Sequence, residues 1–153
     1  VADAAELLER LTGSSRTLGT AESLTGGMLA AALVEVPGAS RVFRGSVVAY
    51  VPDLKSRLLG VDPELIAEVG TVDAEVARQM AKGAQRALGV DVALATTGVA
   101  GPGPAEGHPA GTMWVACATA SGVAARCAVL TGGRGAVRSG AVTAALELAL
   151  EVT

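Results

Sequence analysis

A serine hydroxyl becomes a nucleophile when a base can take its proton and fixed donors can hold the oxyanion that its attack creates. Residues 20–27, Thr20-Ala21-Glu22-Ser23-Leu24-Thr25-Gly26-Gly27, could meet the second need. Ser23 falls just before the apolar run MLAAALVEV, which reads as a helix. Free N–H groups at a helix start point outward and favour negative charge. The backbone donors of Thr25, Gly26 and Gly27 are therefore expected near a ligand. The octet also suits an ordinary N-cap, and it is not the G-x-S-x-G elbow of α/β-hydrolases. A base could come from Lys55, five residues after Tyr50, the only tyrosine of the chain. Of twelve basic residues only Lys55 and Lys82 are lysine. A chain that uses arginine for plain charge leaves lysine for chemistry in which a proton is lost. In a dry pocket a lysine can become neutral and act as a base; the bland alternative is a solvated helix lysine, the preferred reading for Lys82.

Two further loops could bind a ligand. Thr96-Thr97-Gly98-Val99-Ala100-Gly101-Pro102-Gly103 holds three glycines and could cradle a ligand with its backbone. It lacks the Gly-Lys-Ser/Thr ending of a phosphate-binding P-loop. Thr131-Gly132-Gly133-Arg134 leads into the last helix, with Arg138 four residues on and on the same face. Arginine at a helix N-terminus suits a phosphate, and two solvated arginines is the other reading. His108 is the only histidine, and no His, Cys and acid spacing suits a metal, so no metal site or cofactor is expected.

The elements that must position these residues alternate. Residues 2–12 read as a helix, 15–21 as a strand, 28–36 as a helix and 45–50 as a strand. Helices follow from Pro52, from Pro63 and from the cap Asp73 to Leu88, then a strand over 90–96. Residues 112–119 and 123–130 form a hairpin, and a helix over 135–151 closes the chain. This pattern predicts one three-layer α/β/α domain over 1–153, with a mostly parallel sheet and one antiparallel strand. Ligands of such sheets bind beyond the carboxyl ends of the strands, where all four loops fall.

Half of the residues are hydrophobic but only 2% are aromatic, so small side chains must build a close-packed core. The net charge is -3, and no basic block suggests nucleic acid. The most apolar run, 26–36, is too short for the roughly 20 residues a bilayer needs. Acids at Asp3, Glu6 and Glu9 do not resemble a signal peptide, so a cytoplasmic protein without membrane contact is expected. Cys117 and Cys127 fall in neighbouring strands and, with a turn near Gly122, could face each other. Two small buried apolar residues is the plainer reading.

Taken in order, TAESLTGG, VPGAS, FRGSVVAY with its lysine five residues on, RLLGV, TTGVAGP, PAGTMW and the G-x-R-x-x-V-R of the last helix resemble the CinA C-terminal family from about Thr17 to Leu150. The family is similar to nicotinamide mononucleotide deamidases. The resemblance implies Ser23 as nucleophile, Lys55 as its base and Tyr50 as an orienting neighbour. It further implies that Thr97, with Gly98, lines the pocket and that Arg134 or Arg138 meets the phosphate. A small-molecule nucleotide would be the substrate and a homodimer the assembly. The chain departs from the family at Leu24, usually Cys, and at Val51-Pro52-Asp53-Leu54, usually Ser-Asn-Glu-Ala. His108 stands before Pro109 where Lys is usual, and Gly133 replaces an Asp. These departures bear on substrate preference and rate. Many members carry a further N-terminal pyrophosphatase domain, which this sequence does not include. A non-catalytic ligand- or protein-binding module is the competing reading.

Overall fold

The computed structural model describes residues 2–153. Its strands are β1 (Leu18–Glu22), β2 (Phe43–Val48), β3 (Val92–Gly98), β4 (Thr112–Thr119) and β5 (Gly122–Val129). Its helices are α1 (Ala2–Gly13), α2 (Met28–Val34), α3 (Pro52–Leu59), α4 (Pro63–Val69), α5 (Ala74–Leu88) and α6 (Arg134–Val152), with a 3-10 turn at Ala39–Arg41. The sheet order is β2-β1-β3-β4-β5. β1 pairs in parallel with β2 and β3, while β4 is antiparallel to both β3 and β5. β4 alone therefore runs against the rest, as the alternation followed by a hairpin predicts. Boundaries moved by up to three residues, most at β1, whose alternation is poor because all five residues are buried.

Apolar residues divide into two clusters, one on each face of the sheet. Leu18, Leu94, Met113 and Val115 pack with Leu7, Leu29 and Leu146 from α1, α2 and α6. Ala21, Ala93, Ala95, Ala116 and Ala118 pack beneath Val76, Met80 and Ala84 of α5 and Leu59 of α3. This second face is nearly all alanine, so α5 lies close to the strands. Helix α3 approaches α5 more closely still. A Cβ on Gly83 would stand 1.9 Å from the Leu59 carbonyl oxygen, so only glycine permits this crossing. The crossing holds α3 down over the ends of β1 and β2.

Local signals start the helices as expected. The Asp73 side chain accepts from the N–H groups of Glu75 and Val76 at 2.8 and 3.2 Å, and Asp62 accepts from Glu64 at 2.9 Å. The hairpin turns at Ala120–Ser121, ahead of Gly122. Cys117 therefore pairs with Ala124, and Cys127 with Trp114. The two thiols do not face each other: Cys117 is buried, Cys127 is exposed, and both are free. Burial pushes the Cys117 thiol up to about 12. No described helix is long and apolar enough to cross a membrane.

Candidate active site

Parallel pairing brings the ends of β1 and β2 side by side. Ala49 N–H donates to the Glu22 carbonyl at 2.9 Å, and Ser23 N–H to the Thr96 carbonyl at 3.0 Å. Ser23 thus leaves the sheet between the ends of its two neighbours. Lys55, in the second half of the first turn of α3, reaches back to the same point. Its Nζ lies 3.0 Å from Ser23 Oγ, 2.8 Å from the Ala49 carbonyl and 3.3 Å from the Tyr50 carbonyl. Lys55 is only 1% exposed and Ser23 8%. Lys82, the other lysine, is exposed.

Burial without a carboxylate partner disfavours the ammonium form. It lowers the Lys55 pKa from 10.5 to about 8, against a smaller upward pull from Glu106. The surroundings suit both protonation states. An ammonium can donate to all three oxygens. A neutral amine can keep both carbonyls as acceptors and turn its lone pair to the serine O–H. Proton transfer between Ser23 and Lys55 therefore needs no movement of heavy atoms.

The loop that carries Ser23 is held by a residue that sequence reasoning passed over. The Glu22 carboxylate is fully buried at the end of β1. It accepts from the N–H groups of Gly27, Leu29 and Ala30 at 3.1, 2.9 and 3.0 Å. It also accepts from the hydroxyls of Thr25 and Ser46 at 2.7 and 3.1 Å, with that of Thr20 at 3.4 Å. A carboxylate thus occupies the start of α2, where the helix dipole favours it. The loop can wrap around it because Gly26 and Gly27 take φ values of 56° and 104°, which other residues rarely adopt.

This arrangement changes the parts expected of several residues. The Gly27 N–H goes to Glu22 and the Gly26 N–H to the Ser23 carbonyl at 3.0 Å, so neither is free to hold an oxyanion. The Thr25 hydroxyl is shared between Glu22 and Thr96. Within this loop the N–H groups of Leu24 and Thr25 have no partner among the described residues. Thr97 is buried, and its hydroxyl donates to the Thr71 carbonyl at 2.7 Å. Arg138 donates to the carbonyls of Leu24 and Thr25 at 2.9 and 3.0 Å, clamping the nucleophile loop from α6. Thr25, Gly26, Gly27, Thr97 and Arg138 all lie outside the lining of the cleft next to Ser23.

That cleft has a volume of about 330 Å³. Ser23, Tyr50, Thr71, Gly98, Glu106 and Arg134 are among the residues that face it. Arg134 opens α6 and reaches across the mouth, donating to the Gly101 carbonyl at 2.6 Å and to Tyr50 Oη at 3.2 Å. Tyr50 is 58% exposed and presents its ring at the rim. Of the expected site residues Ser23, Tyr50, Gly98 and Arg134 thus line one opening, with Lys55 buried behind Ser23. Thr71 and Glu106 were not foreseen, since neither belongs to a motif. Among the described residues no three His, Cys, Asp or Glu side chains cluster so as to hold a metal ion.

Known proteins share both sequence and fold. A CinA-like protein of Frankia casuarinae is 46% identical over 142 residues, which is 93% of this chain and 33% of that protein. A CinA-like protein of Geobacter metallireducens is 44% identical over 132 residues, 86% of this chain and 32% of that protein. The chain thus spans about a third of the length of these relatives. Among solved structures, a competence-damaged protein (CinA) superfamily protein from Escherichia coli superposes with a TM-score of 0.95 at 32% identity, over 99% of this chain and 88% of that one. A competence/damage inducible protein from Agrobacterium tumefaciens gives 0.88 at 36% identity, over 97% and 94%. Residues 2–153 match the CinA C-terminal domain, and with sequence, fold and strand-end cleft in agreement the chain belongs to that family.

Proposed function

We propose that this domain is a nicotinamide-nucleotide amidase, which hydrolyses the carboxamide of nicotinamide mononucleotide to nicotinic acid mononucleotide and ammonia. The observation that carries the reading is the buried contact of 3.0 Å between Ser23 Oγ and Lys55 Nζ, with the lysine pulled down to about 8. In the reaction, neutral Lys55 takes the Ser23 proton as Oγ bonds to the carboxamide carbon. The free N–H group of Leu24, which lines the cleft beside Ser23, is the candidate to hold the oxyanion. Collapse breaks the C–N bond, and the proton on Lys55 leaves with ammonia. Water then adds to the ester with Lys55 as base, and Ser23 Oγ leaves as a hydroxyl. The net change is carboxamide plus water to carboxylate plus ammonium. Arg134 at the cleft mouth suits the phosphate.

The test is ammonia release from the mononucleotide and from free nicotinamide. The chain should prefer the mononucleotide, and Ser23→Ala should lose about three orders of magnitude or more in kcat. An unmodified chain that binds the nucleotide but releases no ammonia is the signature of a binding module. Near-normal turnover by Ser23→Ala would remove the serine from the reaction.

A further inference from the structure

Glu106 takes no part in the proton transfers between Ser23 and Lys55, yet the fold holds it in a defined place. It sits in a tight turn closed by two reciprocal bonds, Ala105 N–H to His108 O at 3.0 Å and His108 N–H to Ala105 O at 2.9 Å. Glu106 and Gly107 have φ values of 52° and 78° there. A left-handed conformation is unfavourable for glutamate and persists only where its surroundings fix it. What fixes it is Thr71, from the segment between α4 and α5. The Thr71 N–H donates to Glu106 Oε2 at 2.9 Å, and its hydroxyl reaches Oε2 and Oε1 at 2.9 and 3.1 Å. The carboxylate is therefore held still by neutral donors alone. The ion pairs among the described residues are Arg10–Glu6, Arg57–Asp53, Arg78–Glu75 and Arg126–Glu151, and none involves Glu106. Glu106 nevertheless lines the cleft of Ser23, and its field reaches Lys55. Arg134 is the only other charged residue on that lining.

A fixed anion on a cleft wall, without a protein counter-ion, is complementary to a cation brought by the ligand. We infer that Glu106 is a specificity-determining residue that selects a positively charged ring in the cleft, while Arg134 faces the ligand's anionic end. The inference rests on the amidase reading, in which the substrate carries a pyridinium cation and a phosphate. It adds a residue that discriminates ring charge.

Binding should be measured by calorimetry in Ser23→Ala protein, where turnover cannot interfere. The two ligands are nicotinamide mononucleotide and its reduced form, whose dihydropyridine ring is neutral and whose carboxamide and phosphate are unchanged. Ser23→Ala protein should bind the cationic form more tightly. Adding Glu106→Gln, which keeps a partner for Thr71, should cut that preference roughly three- to fivefold, the upper range for an exposed charge pair. Affinity for the neutral form should stay the same. Glu106→Asp, which keeps the charge, should retain part of the preference, and thermal melting of each variant checks that the turn is intact. Equal preference with and without the carboxylate overturns the inference, and so does failure of both forms to bind. Absence of ammonia release by the unmodified chain, with the charge preference intact, overturns the amidase reading alone.

Discussion

At the inner end of the cleft, Ser23 and Lys55 are buried and every buried side-chain polar atom among the described residues has a partner. At the outer end Tyr50, Glu106 and Arg134 are exposed and hold to loops or to one another. The inner end is made by the sheet: parallel strands β1 and β2 stop at the same level, and α3 is pinned over them at Gly83. The outer end is made by the loop 98–111 and the first turn of α6. Burial is what lowers the Lys55 pKa to about 8, and exposure is what lets Arg134 and Glu106 meet a ligand. Substitutions inside should therefore act on kcat and on stability, and those outside on KM and on substrate ratio.

The largest expected effect is that of Lys55→Arg. It keeps a cation beside Ser23 and removes the group able to lose a proton near neutral pH. Turnover should fall about a thousandfold or more, with a cooperative melt to show that the chain still folds. Full activity would mean that the lysine contributes charge only, and the contrast between the two ends would lose its basis.

Glu22→Gln comes next and tests the loop rather than the proton. Gly27 and Leu29 N–H now donate to one carboxylate oxygen and Ala30 N–H to the other, so in either orientation the amide NH₂ would face at least one backbone donor. Loss of charge-assisted hydrogen bonds at a fully buried site should cost about 2–4 kcal/mol. For a chain of this size that is roughly a 10 °C fall in Tm. A variant with unchanged Tm would mean that the start of α2 does not depend on the carboxylate.

The two arginines of α6 sharpen the comparison because they are four residues apart and do different things. Arg134→Ala should raise KM for the mononucleotide about tenfold or more and leave free nicotinamide unaffected, which lowers the ratio between the two substrates. Arg138→Ala should act on kcat with both substrates alike, since it removes the donors that hold the Leu24 and Thr25 carbonyls. Kinetics on both substrates would expose an error if the two variants showed the same pattern.

Much of the inner end was legible in the sequence. Alternating strands and helices, the cap Asp73 and the Gly-Gly pair fixed which loops share the carboxyl edge, and the rarity of lysine marked Lys55. Glu22 was in plain view inside TAESLTGG. Its signal was a carboxylate at the end of a strand, five residues ahead of Gly27, whose N–H it accepts. The outer end was far less legible. Glu106 gains its meaning from Thr71, 35 residues away in a separate loop, and no periodicity links two loops. The facing arrangement that Cys117 and Cys127 offered as the less favoured alternative is absent for a related reason. Hairpin register depends on the exact turn residues, and turning at Ala120–Ser121 sends the two thiols to different partners.

The smallest effect tests whether the two ends communicate. With Lys55 at about 8, kcat/KM should rise with pH below that value, about tenfold per unit, and level off above it. Glu106 favours the ammonium form of Lys55, so it holds this limb higher than burial alone would set it. Glu106→Gln should move the limb to lower pH. The sign follows from charge: without a nearby anion the lysine loses its proton more readily, and a larger fraction is neutral at a given pH. Below the limb the variant should gain in the neutral-base fraction even as its KM for a cationic ring rises. High salt should shrink the shift in the limb, because Glu106 is exposed and its field is screened over about 10 Å at 0.1 M ionic strength. Arg134→Ala at the same mouth should move the limb the other way if its field reaches Lys55, since removing a cation favours the ammonium. A limb that stays fixed in both variants would mean that the rim governs only which ligand enters, and that the buried pair sets its own proton affinity.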